Sequence, residues 1–159
     1  MYCKKKIHCP EIQDDDITNV SKYSAKYAAN ELNMPVIKND SGLMVEALKG
    51  FPGPYTSYIE DTITEVGLLK LMQSETNRKA CFIEVISYCE PGKEPVSFVS
   101  YTNGTIATEL RGKYGWSFDK LFIPEGKTKT FAEFEDDERW KFWSDDAYLQ
   151  LKEYLKNLK

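Results

Sequence analysis

The sequence predicts one α/β domain spanning residues 1–159, in which helices flank an elongated sheet. Apolar side chains recur at helical spacing near both ends of the chain, whereas the middle is rich in Phe, Ile and Val, which favour strands. A length of 159 residues fits one domain, and a hydrophobic content of 42% is enough to build a core.

The first third of the chain predicts a strand, a helix and a second short strand. Residues 4–9 form the first strand, which a proline ends. The helix begins after Asp14–Asp16, whose carboxylates suit a helix N-terminus, and it ends near residues 33–35. Residues 36–37 then form a buried strand that leads into a polar turn at residues 39–42.

The rest of the chain predicts two helices, an antiparallel three-strand meander and a last helix. Asn103-Gly104 marks a hairpin within the meander, because both residues favour tight turns. Residues 116–123 are aromatic and expected to be extended. The other predicted elements are a rigid turn at 50–54, helices through Tyr58 and over 64–73, strands at 80–88, 96–101 and 105–110, and a helix at 145–158.

Charge and composition exclude several classes of function. A net charge of -4 and a pI near 5.2 provide no basic field for duplex nucleic acid. No apolar run approaches a membrane span, and the N-terminus lacks the apolar core of a secretion signal. The four cysteines form no CxxC pair, which indicates reduced thiols. We therefore expect a cytoplasmic protein that binds neither nucleic acid nor membranes.

Two carboxylates, Glu11 and Asp40, are candidates for phosphate chemistry because each follows a predicted strand. Mg²⁺ takes oxygen ligands and commonly bridges one or two carboxylates to the phosphates of a substrate. A further carboxylate can orient or deprotonate a water for attack at phosphorus. The alternative is that Glu11 is surface charge and Asp40 caps a turn, and the residues alone favour this alternative.

A third polar cluster, at residues 111–119, has the residue types of a purine site. Trp116 or Phe118 can stack on a base, and Asp119 can accept a hydrogen bond from its edge. Lys113 and Arg111 can neutralise phosphates. The alternative is that both aromatic rings belong to the core and that the aspartate is a cap, which the residues alone slightly favour.

Seven short motifs follow one another along the chain. They are Pro10-Glu-Ile-Gln13, Asp40-Ser-Gly-Leu43, Glu46-Ala-Leu48, Gly50-Phe-Pro-Gly-Pro-Tyr55, Arg111-Gly112, Gly115-Trp-Ser-Phe-Asp119 and Thr130-Phe-Ala-Glu133. In this order they resemble the Ham1/ITPase family of pyrophosphatases, over nearly the whole chain. The resemblance implies an elongated mixed sheet with helices, in two lobes around a central cleft. It also implies hydrolysis of ITP, dITP or XTP to the monophosphate and pyrophosphate, with Mg²⁺ as the cofactor.

The resemblance also implies roles for individual residues. Glu11 is expected to be a metal-linked carboxylate, and Asp40 both a metal ligand and the group that activates water. The expected substrate-binding residues are Trp116, Phe118, Asp119, Lys113, Arg111, Phe51 and Arg139, of which Arg139 replaces a family lysine near the base. The segment from Phe51 to Tyr55 is expected to shape the cleft and a dimer contact.

Three family features are missing from the sequence. By the resemblance, the given sequence is expected to start just before the family's second strand, without the first strand and helix and without the SGNxxK-type loop that grips the triphosphate. Residues 141–146 read Lys-Phe-Trp-Ser-Asp-Asp where a Ser-His-Arg motif is expected. Asn39 replaces a common acidic residue and so removes a candidate metal ligand. Losing one phosphate clamp lowers the rate by a factor on the order of 10²–10³.

The main expectation is therefore a degenerate Ham1-like protein that binds dITP or ITP with weak or no hydrolysis. It would act as a sensor or regulatory subunit of a larger complex, for example in antiviral defence. The alternative is an active Mg²⁺-dependent pyrophosphatase that acts on ITP, dITP or XTP, and a third interpretation is a scaffold that binds no nucleotide. The expected protein partner is a second copy of the chain or an effector protein.

Overall fold

The computed structural model describes residues 4, 6–10 and 12–158. Its helices are α1 Ile17–Leu32, α2 Thr56–Thr62, α3 Thr64–Leu71, α4 Asp136–Arg139 and α5 Asp146–Asn157. Its strands are β1 Val36–Val45, β2 Lys79–Cys89, β3 Val96–Ile106 and β4 Phe122–Pro124. Single 3₁₀ turns lie at Glu46–Leu48, Gly53–Tyr55, Ser117–Lys120, Phe131–Glu133 and Trp140–Phe142.

The described strands form one antiparallel sheet in the order β1-β2-β3-β4. The predicted α/β class, with helices flanking a long sheet, is confirmed. Every pairing among the described strands is antiparallel, so the parallel pairing of a mixed sheet does not occur among them. No helix in the described part of the chain is long and apolar enough to cross a membrane.

Helix α1 has the predicted position and covers one face of the sheet. The Asp16 carboxylate accepts a hydrogen bond from the Thr18 backbone N–H at 2.8 Å and so caps the N-terminus. The helix ends at Asn33, whose φ is 47°. Small buried residues, including Ala25 and Ala29, pack it closely onto the sheet.

The strand predicted at residues 4–9 is not formed among the described residues of this segment. Lys4, Lys6 and His8 are exposed, so the segment buries little apolar surface. Too little burial remains to offset the entropy cost of ordering a strand.

The polar turn predicted at residues 39–42 is also wrong, because β1 runs through this segment. Each residue of the segment pairs with β2, with Asp40 opposite Val85 and Gly42 opposite Ile83. Strand β1 lies at the edge of the described sheet, where polar side chains can reach solvent without breaking the ladder.

The predicted hairpin at Asn103-Gly104 is likewise absent, since both residues lie within β3. A Cβ atom on Gly104 would lie 2.3 Å from the Ile123 carbonyl oxygen, so the glycine allows close approach of β4. The predicted third strand at 105–110 is therefore only the end of β3, at Ile106. The segment 116–123 contains a 3₁₀ turn followed by β4 rather than one extended stretch.

The main core lies on the sheet face opposite α1 and is aromatic. Phe82 of β2 packs 4.8 Å from Phe122 and 4.8 Å from Trp143, between ring centroids. Phe131 stacks on Trp143 at 5.1 Å with only 7° between the ring planes. This cluster supports the Ser117–Lys120 turn from below, because Phe118 belongs to it.

Candidate functional site

Asp40 lies on the α1 side of β1. One of its carboxylate oxygens accepts a hydrogen bond, and the other accepts none from the described residues. Its Oδ1 accepts a hydrogen bond from Lys38 Nζ at 2.6 Å, and Lys38 also donates to the Asn39 carbonyl oxygen at 3.1 Å. Its Oδ2 is buried and has no hydrogen-bond partner among the residues that the structure describes. A buried acceptor without a partner is costly, so this oxygen is suited to a donor or cation brought by a ligand.

Asn39 is not part of the surroundings of Asp40, although the sequence placed it there as a lost metal ligand. Successive side chains of a strand point to opposite faces, and Asn39 faces the α5 side. Its Nδ2 donates to Glu84 Oε1 at 3.0 Å and to Tyr148 Oη at 2.6 Å. An acidic residue at position 39 would therefore lie on the other side of the sheet from Asp40.

Mg²⁺ fits the donor set at Asp40. The open Oδ2 is a hard oxygen ligand, and Mg²⁺ often takes only one or two protein carboxylates together with substrate phosphates. The other predicted ligand, Glu11, lies outside the described residues. In the described part of the chain, no three His, Cys, Asp or Glu side chains are grouped as a complete metal site.

Trp116 and Asp119 are joined by the 3₁₀ turn at Ser117–Lys120. The Trp116 backbone N–H donates to Asp119 Oδ2 at 3.2 Å, and the Asp119 N–H donates to the Trp116 carbonyl oxygen at 2.9 Å. Ser117 between them has a φ of 27°, in the strained left-handed region. The turn leaves the indole of Trp116 51% exposed and the carboxylate of Asp119 only 2% exposed.

Arg139, which the family resemblance implies lies near the base, brings a buried positive charge to this turn. Its contact with a base stays a prediction. Arg139 is 3% exposed, and its Nη1 lies 3.3 Å from Asp119 Oδ2 while its Nη2 lies 2.9 Å from Asp136 Oδ1. The contact with Asp119 is an ion pair without hydrogen-bond geometry, because within the described part of the chain neither Nη1 nor Nε has a hydrogen-bond partner. Arg139 thus keeps two buried donor atoms available to a ligand.

The position of Gly115, next to this ion pair, requires a glycine. Its φ is 67°, and a Cβ atom there would lie 2.0 Å from Asp119 Oδ2 and 2.1 Å from Arg139 Nη1. The glycine therefore lets the backbone pack directly against the carboxylate and the guanidinium, where any side chain would collide with them.

Burial raises the pKa of Asp119 from 3.8 to about 6, against the opposing effects of the Trp116 N–H and Arg139. Because the folded pKa is the higher one, the folded protein binds this proton more tightly. Its stabilising effect is complete at low pH and is lost as the pH rises through about 6.

We expect the wild type to lose roughly 2–3 kcal/mol of unfolding free energy relative to Asp119→Asn between about pH 4 and about pH 7.5. Asparagine has the size of the carboxyl group and does not titrate. Urea unfolding of both proteins at the two pH values measures the difference. A difference that stays constant with pH would contradict the raised pKa.

Phe118 and Phe51 both pack against the aromatic core. Phe118 has 0% exposure and belongs to the aromatic core, which is the alternative that the sequence left open. Phe51 is partly buried against the same core, and its carbonyl oxygen accepts the Val45 N–H at 3.3 Å. A contact of either ring with substrate stays a prediction.

The two predicted phosphate-binding cations differ in their surroundings. Arg111 Nη2 donates to the Thr128 carbonyl oxygen at 3.1 Å, and its Nε lies 3.7 Å from Glu133 Oε2. These contacts hold the 111–133 loops together and engage the guanidinium. Lys113 is exposed, with its Nζ 5.2 Å from the centre of the Tyr114 ring. Phosphate binding by either residue stays a prediction.

Three residues near the site were not among the predicted site residues. The pKa of Glu60 on α2 is raised, first by burial and then by the negative charges of Asp119, Asp61 and Glu65. Lys38 contacts Asp40, and Trp140 lies beside Trp116. The alternation along β1 would have placed Lys38 beside Asp40, but only if residues 38–42 had been recognised as a strand.

Comparison with known proteins gives a consistent result. The model of the Ham1 family matches residues 2–145. A protein of Methanopyrus kandleri named dITP/XTP pyrophosphatase is 52% identical over 132 residues, which are 83% of this chain and 70% of that protein. A protein of the same name from Thermococcus kodakarensis is 48% identical over 134 residues, 84% of this chain and 72% of that protein.

Solved structures agree with this assignment. The Ham1 protein of Staphylococcus aureus has a TM-score of 0.85 at 28% identity, covering 96% of this chain and 82% of that one. A HAM1 protein of Coxiella burnetii has a TM-score of 0.82 at 26% identity, covering 93% and 81%. The predicted family and fold class are confirmed, and the chain belongs to the Ham1 family.

Proposed function

We propose that the protein is a pyrophosphatase that hydrolyses dITP and XTP to the monophosphate and pyrophosphate. Its relatives' names support this activity. The observation that carries the proposal is the buried guanidinium of Arg139. Two of its donor atoms have no hydrogen bond to any described residue, and it lies beside Asp119 at the half-exposed Trp116.

The chemistry of these groups favours hypoxanthine and xanthine over adenine. Both bases carry a carbonyl oxygen at C6, where adenine carries an amine. A guanidinium only donates hydrogen bonds, so Arg139 can satisfy the carbonyl but not the amine. Asp119 can accept from a ring N–H when ionised, and Trp116 offers a stacking surface.

Asp40 serves the phosphate end in this proposal. Its open Oδ2 accepts a proton from, or orients, a water that attacks phosphorus, while Lys38 holds Oδ1 in place. Asp40 and the predicted Glu11 would hold Mg²⁺, which when bound neutralises phosphate charge and orients the substrate.

The relatives' names favour this active enzyme over the degenerate sensor that was the main expectation from the sequence. Nothing among them supports a pseudoenzyme or an antiviral role. A homodimer or a complex with an effector stays a separate prediction. We also propose a cytoplasmic location, in keeping with the free thiols of Cys9, Cys81 and Cys89.

The test measures pyrophosphate release from dITP, XTP and dATP with Mg²⁺, together with nucleotide binding by calorimetry on the same sample. We expect kcat/KM for dITP and XTP to exceed that for dATP by about 10²-fold or more, because adenine leaves the buried donors unpaired. Tight dITP binding without pyrophosphate release would instead support the sensor. If the protein neither binds dITP nor releases pyrophosphate, the result would support the scaffold interpretation.

A further inference from the structure

We propose that Trp140 forms a second wall of the base site, so that the purine is held between the indoles of Trp116 and Trp140. This inference rests on the proposed function, since it concerns how the same nucleotide is bound. It adds a residue that none of the seven motifs contains.

The two indoles are inclined to each other, and both lie next to Arg139. Their centroids are 6.4 Å apart, with 44° between the ring planes. The guanidinium carbon of Arg139 lies 5.3 Å from the centroid of each ring. Arg139 therefore contacts both rings, and its Nη1 and Nε, which have no hydrogen-bond partner among the described residues, lie close to the pair of indoles.

Exposure distinguishes this pair from the core tryptophan next to it. Trp116 is 51% exposed and Trp140 is 54% exposed, although large aromatic side chains usually bury most of their surface. Trp143 is partly buried instead and stacks on Phe131 in the core. Two half-exposed indoles that share one cation offer apolar faces to a flat ligand.

A purine fits between these rings after a small change of side-chain angle. Stacking on both faces needs centroids about 7–8 Å apart, which is twice the usual contact distance between ring atoms. The observed 6.4 Å must therefore widen by roughly 1 Å while the rings become parallel. About half of the surface of each residue is exposed to solvent, which leaves room for such a rotation on the solvent side.

The competing role for Trp140 is to hold Arg139 through a cation–π contact. The two roles differ in their effect on base selection. Every purine has a π face, so loss of a stacking wall weakens dITP and dATP binding in parallel. Loss of a contact that holds Arg139 instead weakens dITP binding more than dATP binding, because the guanidinium donates a hydrogen bond to the C6 carbonyl.

The experiment compares Trp140→Leu, Trp140→Phe and the wild type for binding of dITP and dATP by calorimetry and competition. We expect Trp140→Leu to weaken both nucleotides by roughly 5- to 150-fold, the range of one stacked base, with the dITP-to-dATP ratio unchanged. Trp140→Phe should restore most of the affinity. Tyr101→Ala, which removes an exposed ring from β3, is the control and should bind as the wild type does.

Two results would overturn the inference while leaving the proposed function intact. One is dITP binding by Trp140→Leu equal to that of the wild type. The other is a fall in the dITP-to-dATP ratio, which would assign Trp140 to positioning Arg139. If the wild type itself does not bind dITP, the proposed function fails, and the inference fails with it. Thermal unfolding of each variant confirms that it is folded.

Discussion

Asp40→Asn is expected to lower the rate of pyrophosphate release from dITP by about 10²–10⁴-fold, the usual contribution of a positioned general base. The substitution keeps the shape of the side chain but removes the charge and the basic oxygen. Lys38 loses its ion-pair partner, which for a partly exposed pair costs no more than about 1 kcal/mol. The protein should therefore stay folded and continue to bind dITP, whose base contacts lie elsewhere.

Steady-state kinetics with Mg²⁺, together with calorimetric dITP binding, measures this effect. Asp61→Asn is the matched control, because Asp61 is exposed on α2. It should change neither rate nor affinity by more than about twofold. A rate for Asp40→Asn close to that of the wild type would remove Asp40 from the mechanism.

Arg139→Met is expected to abolish selection of dITP over dATP and to destabilise the fold by about 3–5 kcal/mol at neutral pH. Methionine preserves much of the apolar stem but leaves Asp119 buried without a cation. Protonation of Asp119, whose pKa is already raised to about 6, keeps the cost toward the lower end of that range.

The double variant Arg139→Met/Asp119→Asn separates stability from recognition. Removing the buried carboxylate should restore part of the lost stability, because no unpaired charge remains. Selection of dITP should stay lost, since the guanidinium donors are absent. Urea unfolding and the kcat/KM ratio for the two nucleotides measure the two effects. Normal dITP selection in either variant would exclude Arg139 from base recognition.

Local sequence signals were sufficient for the long helices. Three aspartates before an amphipathic run located α1, and a repeated leucine face located α5 to within about one residue of each end. Trp116, Asp119 and Arg139 were named as site residues from the family resemblance, although segment 116–123 was predicted as extended rather than as a turn. These features depend on residues close together in the chain or on a family motif.

The remaining features depend on tertiary contacts that local patterns do not contain. Asp40 looks like a turn residue, and it becomes a strand residue only because β2 pairs with it. Gly104 follows an asparagine as in a hairpin, but its missing side chain makes room for β4. Trp140 lies in a segment without a recognised motif, and only the fold brings it beside Trp116.

The alternation along β1 has a consequence for how mutations in the core affect catalysis. Leu43 and Val45 are fully buried in the aromatic core, and their burial fixes which side chains of β1 face α1. If the register of β1 against β2 shifted by one residue, Leu43 and Val45 would leave the core. Asn39 would then replace Asp40 on the α1 side. The packing of two apolar side chains therefore determines the side on which the carboxylate lies. Substitutions that loosen this packing can therefore abolish the proposed activity of Asp40, although most backbone hydrogen bonds between β1 and β2 remain.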